Sequence, residues 1–146
     1  MNRQYISKAT IKINAPVSKV WNALTAPEIA KEYFFGANIV SDWKENSPIT
    51  FKGEFNGNSY EEKGIILNAK PGVQLRYTHW SNLDGIPDTP ENYRIWTFDL
   101  IEAENYTRLS VSEDNIPTAK KQKRSDEFWT GVLSTIKKIV ENPNVC

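Results

Sequence analysis

The chain has 146 residues with 18 basic and 18 acidic side chains, so its formal net charge is zero and a general polyanion partner is disfavoured for want of a basic surplus. Charged residues at 25% and apolar residues at 39% are ordinary globular values, which exclude a disordered or fibrous class, and the length suits one domain over residues 1–146. A lone cysteine (Cys146), no signal-like apolar run at the start and no segment of ~20 apolar residues lead to the expectation of a cytoplasmic protein with no disulfide and no membrane span.

In chain order, residues 5–13 read as a first strand, with Ile6, Ile11 and Ile13 among polar and β-branched partners. Ala15-Pro16 signals a helix start, because proline at the first helical position gives up an N–H that has no partner there anyway. Val17, Val20, Trp21 and Leu24 follow at helical spacing and form one apolar stripe. Ala26-Pro27 repeats the device and opens a second short helix that ends near Tyr33-Phe34-Phe35-Gly36. Two short helices after one strand are expected to plug one end of whatever the strands build.

The apolar period then changes to two. Ile49, Phe51, Gly53 and Phe55 alternate with polar residues, and Asn56-Gly57 supplies a hairpin turn because both residues tolerate positive φ. Residues 59–68 form the return strand and Pro71-Gly72 the next turn. Leu75, Tyr77 and His79 mark the following strand, and Trp96, Phe98 and Leu100 another after the long loop 81–92. Leu109 and Val111 mark the last strand. A closing helix carries Trp129, Val132, Leu133, Ile136, Ile139 and Val140 on one face, and Asn142-Pro143 stops it. Its start is either at Ser125, a good N-cap, or back at Thr118 after Pro117. An antiparallel sheet of this size must bury a face, and one long helix is available to cover it, so the sheet is expected to curl around that helix.

This order and several motifs resemble the START-like (pollen-allergen-like, SRPBCC) helix-grip superfamily, and within it the bacterial single-domain branch related to the activator of the heat-shock-protein-90 ATPase. The stretches that carry the resemblance begin with Ala15-Pro16-Val17-Ser18-Lys19-Val20-Trp21, Tyr33-Phe34-Phe35-Gly36 and Ser41-Asp42-Trp43-Lys44. Tyr60-Glu61-Glu62-Lys63-Gly64, Tyr77-Thr78-His79-Trp80-Ser81, Pro90-Glu91-Asn92-Tyr93, Glu113-Asp114-Asn115 and the helix around Trp129 continue it. The resemblance implies an α+β fold in which an antiparallel sheet of about six or seven strands grips a long C-terminal helix. It also implies a cavity between the two, and a role in ligand binding or the stress response.

By alternation Phe51, Phe55, Tyr77, His79, Trp96 and Phe98 share the concave face, opposite Trp129, Val132, Leu133 and Ile136. These ten residues are the candidate ligand-binding set: they either surround a pocket for a small hydrophobic or aromatic ligand or fill the interior themselves. His79 is the sole histidine, so no metal site is expected, nor a cofactor. Glu62 and Glu113 face inward unless a bulge reverses them, and a carboxylate beside His79 or Tyr77 is a candidate acid/base pair. The absence of nucleophile motifs and phosphate loops favours a non-enzyme.

The basic run Lys120, Lys121, Lys123 and Arg124 lacks interleaved aromatics and reads as a solvated face, not a nucleic-acid platform. Trp80 faces the other way from His79 and is either an exposed contact or covered by loop 81–92. The expected partner is a small apolar ligand, with the protein a monomer or weak homodimer. The alternatives are an interaction module that modulates a chaperone ATPase and a polyketide-cyclase-like enzyme.

Overall fold

The computed structural model describes residues 5–142, apart from the side chain of Phe55. The readings placed on that side chain, on Pro143 and on Cys146 lie outside the described residues. Seven strands run β1 (Tyr5–Ile13), β2 (Asn38–Ser41), β3 (Pro48–Phe55), β4 (Asn58–Lys70), β5 (Gln74–Ser81), β6 (Arg94–Glu102) and β7 (Thr107–Ile116). Three α-helices accompany them, α1 (Val17–Thr25), α2 (Pro27–Tyr33) and α3 (Ala119–Glu141). The strands form one antiparallel sheet in the order β1-β7-β6-β5-β4-β3-β2, so β3 to β7 are a simple meander and β1 closes onto the last of them. This is the helix-grip architecture the sequence leads one to expect.

The local causes are visible in the backbone. Pro16 is the N-cap of α1, one residue earlier than the first helical turn, and Val20, Ala23 and Leu24 make its buried face. Pro27 stands in the first turn of α2, where no carbonyl needs its missing N–H. The Tyr33 hydroxyl donates to the Ala23 carbonyl at 2.8 Å and locks the two short helices together. At the β3–β4 hairpin Asn56 and Gly57 have φ of 53° and 81°, the left-handed pair that matches strand twist.

The closing helix begins at Ala119, with the Thr118 hydroxyl accepting from the Lys121 N–H at 3.1 Å. Of the two starts open from sequence the earlier one is real, and Ser125 lies inside the helix on its buried side. Trp129, Val132, Leu133, Ile136 and Val140 then enter the core. Polar contacts lace the same helix along β1. Ser7 donates to Asp126 at 2.5 Å, Gln122 to the Ile6 carbonyl at 3.1 Å, and Lys137 to the Lys12 carbonyl at 2.8 Å. Ile6 itself points outward, 43% exposed, because it has the opposite parity to the inward Ser7 and Ile13 of the same strand.

The short strand β2 was not expected. Only Ile39 in it is buried, too few residues for an alternating pattern to register. Elsewhere the inner face is as alternation dictates. Leu75 and Tyr77 of β5, Phe98 and Leu100 of β6, and Leu109 and Val111 of β7 are all buried.

Gly64 marks the tightest point of the sheet. A Cβ placed there would stand 1.6 Å from the Thr78 carbonyl oxygen, a backbone atom that cannot yield without parting β4 from β5. Gly131, on the exposed side of α3, has nothing within 4 Å of its own virtual Cβ. Gly64→Ala is therefore expected to lower unfolding free energy by roughly 3 kcal/mol, and Gly131→Ala to raise it by about 0.5–1 kcal/mol. Urea denaturation of the two variants beside the parent checks both signs.

Candidate functional site

A cavity of about 410 Å³ opens at one end of the grip, between β3–β7 and the first three turns of α3. Its floor is aromatic. Trp96 of β6 stacks on His79 of β5, rings 3.7 Å apart and 16° from parallel, and Phe51 of β3 meets His79 edge-on at 5.4 Å. Phe34, just past α2, closes the inner end of the cavity, with ring centroids 5.9 Å from both Phe51 and Trp96. Behind it Trp129 stands T-shaped to Trp96 at 4.7 Å. Such edge-on pairs add about 0.5–1.5 kcal/mol each beyond area burial, which favours this arrangement of the wall. Phe35, 74% exposed, and half-buried Phe128 form an apolar lip, their rings 5.9 Å apart.

Three of the ten residues chosen from sequence, Phe51, His79 and Trp96, line this cavity. Tyr77, Phe98, Trp129, Val132, Leu133 and Ile136 are instead buried in the filled part of the interior. The tenth, Phe55, belongs to the side chains outside the described set. The structure therefore joins the two readings left open by the pattern: one end of the grip is filled and the other is open.

The polar groups of the cavity come from positions of the same strand parity. Glu62 of β4 accepts from His79 Nε2 at 3.0 Å in the tautomer that carries its proton there. Burial pushes the Glu62 carboxyl up, but the hydrogen bond and charge of His79 and the hydroxyl of Ser81 outweigh it, and the net result lies below the usual carboxylate value. Tyr77 is not the carboxylate's partner, and burial drives its phenol well above the ordinary value. Glu113 of β7 is buried with both oxygens engaged. Arg94 Nη1 donates to Oε2 at 2.8 Å and the Trp129 indole N–H to Oε1 at 2.9 Å. Asp84, in the single helical turn Asn82–Asp84, stands 3.8 Å from Arg94 Nη2.

Sequence reasoning missed Arg94, Ser81, Tyr60 and the contributions of Phe34, Phe35 and Phe128, all of which line the cavity. Arg94 and Ser81 had a usable signal. Each lies two residues from an inward aromatic or histidine and pairs within the same ladder, Arg94 opposite His79 and Ser81 opposite Glu62. Of the basic run, Lys120, Lys123 and Arg124 are exposed and Lys121 is half-buried, and Lys121 and Arg124 also border the cavity mouth.

Loop 81–92 covers Trp80, whose indole N–H reaches the Ile86 and Pro87 carbonyls at 3.2 and 3.1 Å. The loop is pinned from outside by the Lys63–Asp88 ion pair at 2.6 Å and by Asn115, which donates to the Glu91 carbonyl at 2.8 Å. Among the described residues no cluster of His, Cys, Asp and Glu is suited to a metal ion, and no helix is long and apolar enough to cross a membrane.

In sequence, residues 14–141 match the family model described as Activator of Hsp90 ATPase homolog 1-like protein. The chain belongs to this family. No curated protein matches it. The solution structure of ChR145 from Cytophaga hutchinsonii is 45% identical, covers 97% of each chain and superposes with a TM-score of 0.85. The solution structure of the Aha1 dimer from Colwellia psychrerythraea is 20% identical over 97% of this chain and 99% of that one, TM-score 0.75. CalU16 from Micromonospora echinospora is 17% identical over 94% and 84% of the two chains, TM-score 0.69. The last two share the fold.

The lowered carboxyl of Glu62 has a consequence for acid stability. A group whose folded value lies below its unfolded one adds stability that is fully present above the unfolded value and is lost as pH falls through the folded one. Glu62→Gln is thus expected to cost about 1 kcal/mol near neutrality, with the gap from the parent closing below about pH 4.5. Unfolding free energies for both proteins between pH 7 and pH 3 test this.

Proposed function

We propose that the protein is a binding domain that holds a small hydrophobic or aromatic ligand in the cavity between the sheet and α3. The observation that carries this reading is the cavity itself. Its 410 Å³ falls within the ~300–1,000 Å³ range of small-molecule sites, and apolar rings with a few placed polar groups are the usual lining of such sites. The Phe51–His79–Trp96 floor offers a flat face to a ring system, and the Phe35–Phe128 lip offers apolar cover at the entrance. A wall already packed in place lowers the ordering cost of binding.

The test uses the neutral fluorescent probe N-phenyl-1-naphthylamine, together with native mass spectrometry of the gently purified protein. Saturable uptake of the probe with one-to-one stoichiometry is expected. Phe35→Ala removes the exposed lip and should weaken uptake several-fold while changing unfolding free energy by less than about 1 kcal/mol. A protein that takes up no probe and carries no mass adduct would end this reading.

A second reading, a cyclase-like enzyme, is favoured by one observation: Glu62 and His79 are hydrogen-bonded at 3.0 Å on the cavity wall, the arrangement a general acid/base pair requires. Incubation of an extracted ligand with the parent protein and with His79→Gln separates the two. A ligand recovered at unchanged mass and unchanged chromatographic retention from both proteins supports binding alone. Conversion by the parent and not by the variant supports the enzyme.

A further inference from the structure

The hydrogen-bonding capacity of the cavity is spent unevenly. Of the four carboxylates that line it, the two deeper ones are occupied, while Glu54 and Asp84 stand at its more exposed edge. Glu113 has both oxygens engaged by Arg94 and Trp129, and Glu62 is held by His79 and Ser81. The donors are not matched in the same way. Among the described residues, Arg94 Nη2 and Trp96 Nε1 are the buried side-chain polar atoms that lack a hydrogen-bond partner. They belong to residues two apart on β6, both of which line the cavity, although the two nitrogens themselves are closed off from solvent. Buried donors without acceptors are rare in folded proteins, and two on one wall call for a group that supplies acceptors.

The lining sets Glu54, Glu62, Asp84 and Glu113 against Arg94, Lys121 and Arg124, so its cations matter by position and not by number. Lys121 and Arg124 border the mouth, and no ion pair with a described residue occupies either of them. They stand on the first two turns of the 23-residue helix α3, whose first turn holds no acidic residue to offset the positive end of the helix dipole. Asp84 Oδ2, at 3.8 Å from Arg94 Nη2, is beyond hydrogen-bonding reach and partly exposed.

We propose that the ligand is an acid bound as its oxyanion: an aromatic or apolar body lies on the Phe51–Trp96 floor while its anionic oxygens accept from Arg94 Nη2 and Trp96 Nε1, with Lys121 and Arg124 guarding the mouth. This rests on the cavity-binding reading above and adds the sign of the ligand's charge. Asp84 then acts against the ligand, as a like charge beside the same guanidinium nitrogen.

The experiment compares two probes with one skeleton, neutral N-phenyl-1-naphthylamine and its sulfonated counterpart 8-anilinonaphthalene-1-sulfonate, by fluorescence titration of the whole chain. The anionic probe is expected to bind about tenfold more tightly, the scale of one good charge-assisted hydrogen bond. Lys121→Gln/Arg124→Gln should cut that preference several-fold without changing affinity for the neutral probe. Arg94→Gln alone would strand Glu113 as a buried, unpaired charge, so the partner variant is Arg94→Gln/Glu113→Gln, which should likewise cut the preference. Asp84→Asn should raise it, whereas Glu104→Gln, the same charge change on an exposed turn, should not. Equal binding of the two probes, or a preference that survives both double variants, overturns the oxyanion assignment and leaves the cavity reading standing. Failure of both probes to bind overturns the two together.

Discussion

The carboxylate of Glu113 is the constraint on which the rest of the site depends. It is 3% exposed, and an ion so buried is tolerable only when its lone pairs are met in good geometry. One oxygen takes the Trp129 indole N–H from α3 and the other takes Arg94 from β6. Trp129 is fully buried, so its single N–H must reach that oxygen, and this sets the depth and rotation at which the helix lies on the sheet. Once Trp129 is placed, Phe128, Ser125, Arg124 and Lys121 fall over the open end of the sheet with no freedom to be elsewhere. The same carboxylate takes one amino group of Arg94, and the other has no hydrogen-bond partner among the described residues.

Filling and opening are divided along the length of α3. Toward its C-terminal end Ile136 and Val140 are buried with Ile13, Leu75 and Leu109, while α1 lies against both α3 and β6. There the chain supplies enough large apolar side chains to occupy the interior. Toward its N-terminal end the helix presents Lys121, Arg124 and Ser125, and the facing strands present Glu62, His79 and Arg94. Side chains with charged or hydroxyl ends do not collapse onto one another as isoleucines do, so space remains. Phe34 stands at the boundary and keeps the two regimes apart.

Much of this was legible in the chain before any coordinates. The change of apolar period from helical to two and back places β1, α1, α2, the meander and α3. A buried member at every second position also identifies Phe51, His79 and Trp96 as inward. What alternation does not convey is distance along the grip. Tyr77 and His79 share one face of β5, yet one is in the filled half and the other in the open half, because closure depends on where Phe34 and α1 arrive from elsewhere in the sequence. The pattern places Glu62 and Glu113 inward, but it gives no reason to carry the same parity on to Arg94 and Ser81. Arg94 and Ser81 obey the parity of their neighbours, but they read as surface residues until Glu113 and Glu62 are seen beside them. Strand β2 escaped for the opposite reason, being too short to have a period.

The separation of the two halves also frees the mouth to vary. Phe35, Leu83, Lys121 and Arg124 touch the cavity but are not among the fully buried side chains that hold sheet to helix. Exchanges at these four positions would reshape the mouth of the cavity while the fold's free energy stays nearly constant. A scaffold built in this manner can change the lining of its opening one surface residue at a time, without first accumulating a reserve of stability.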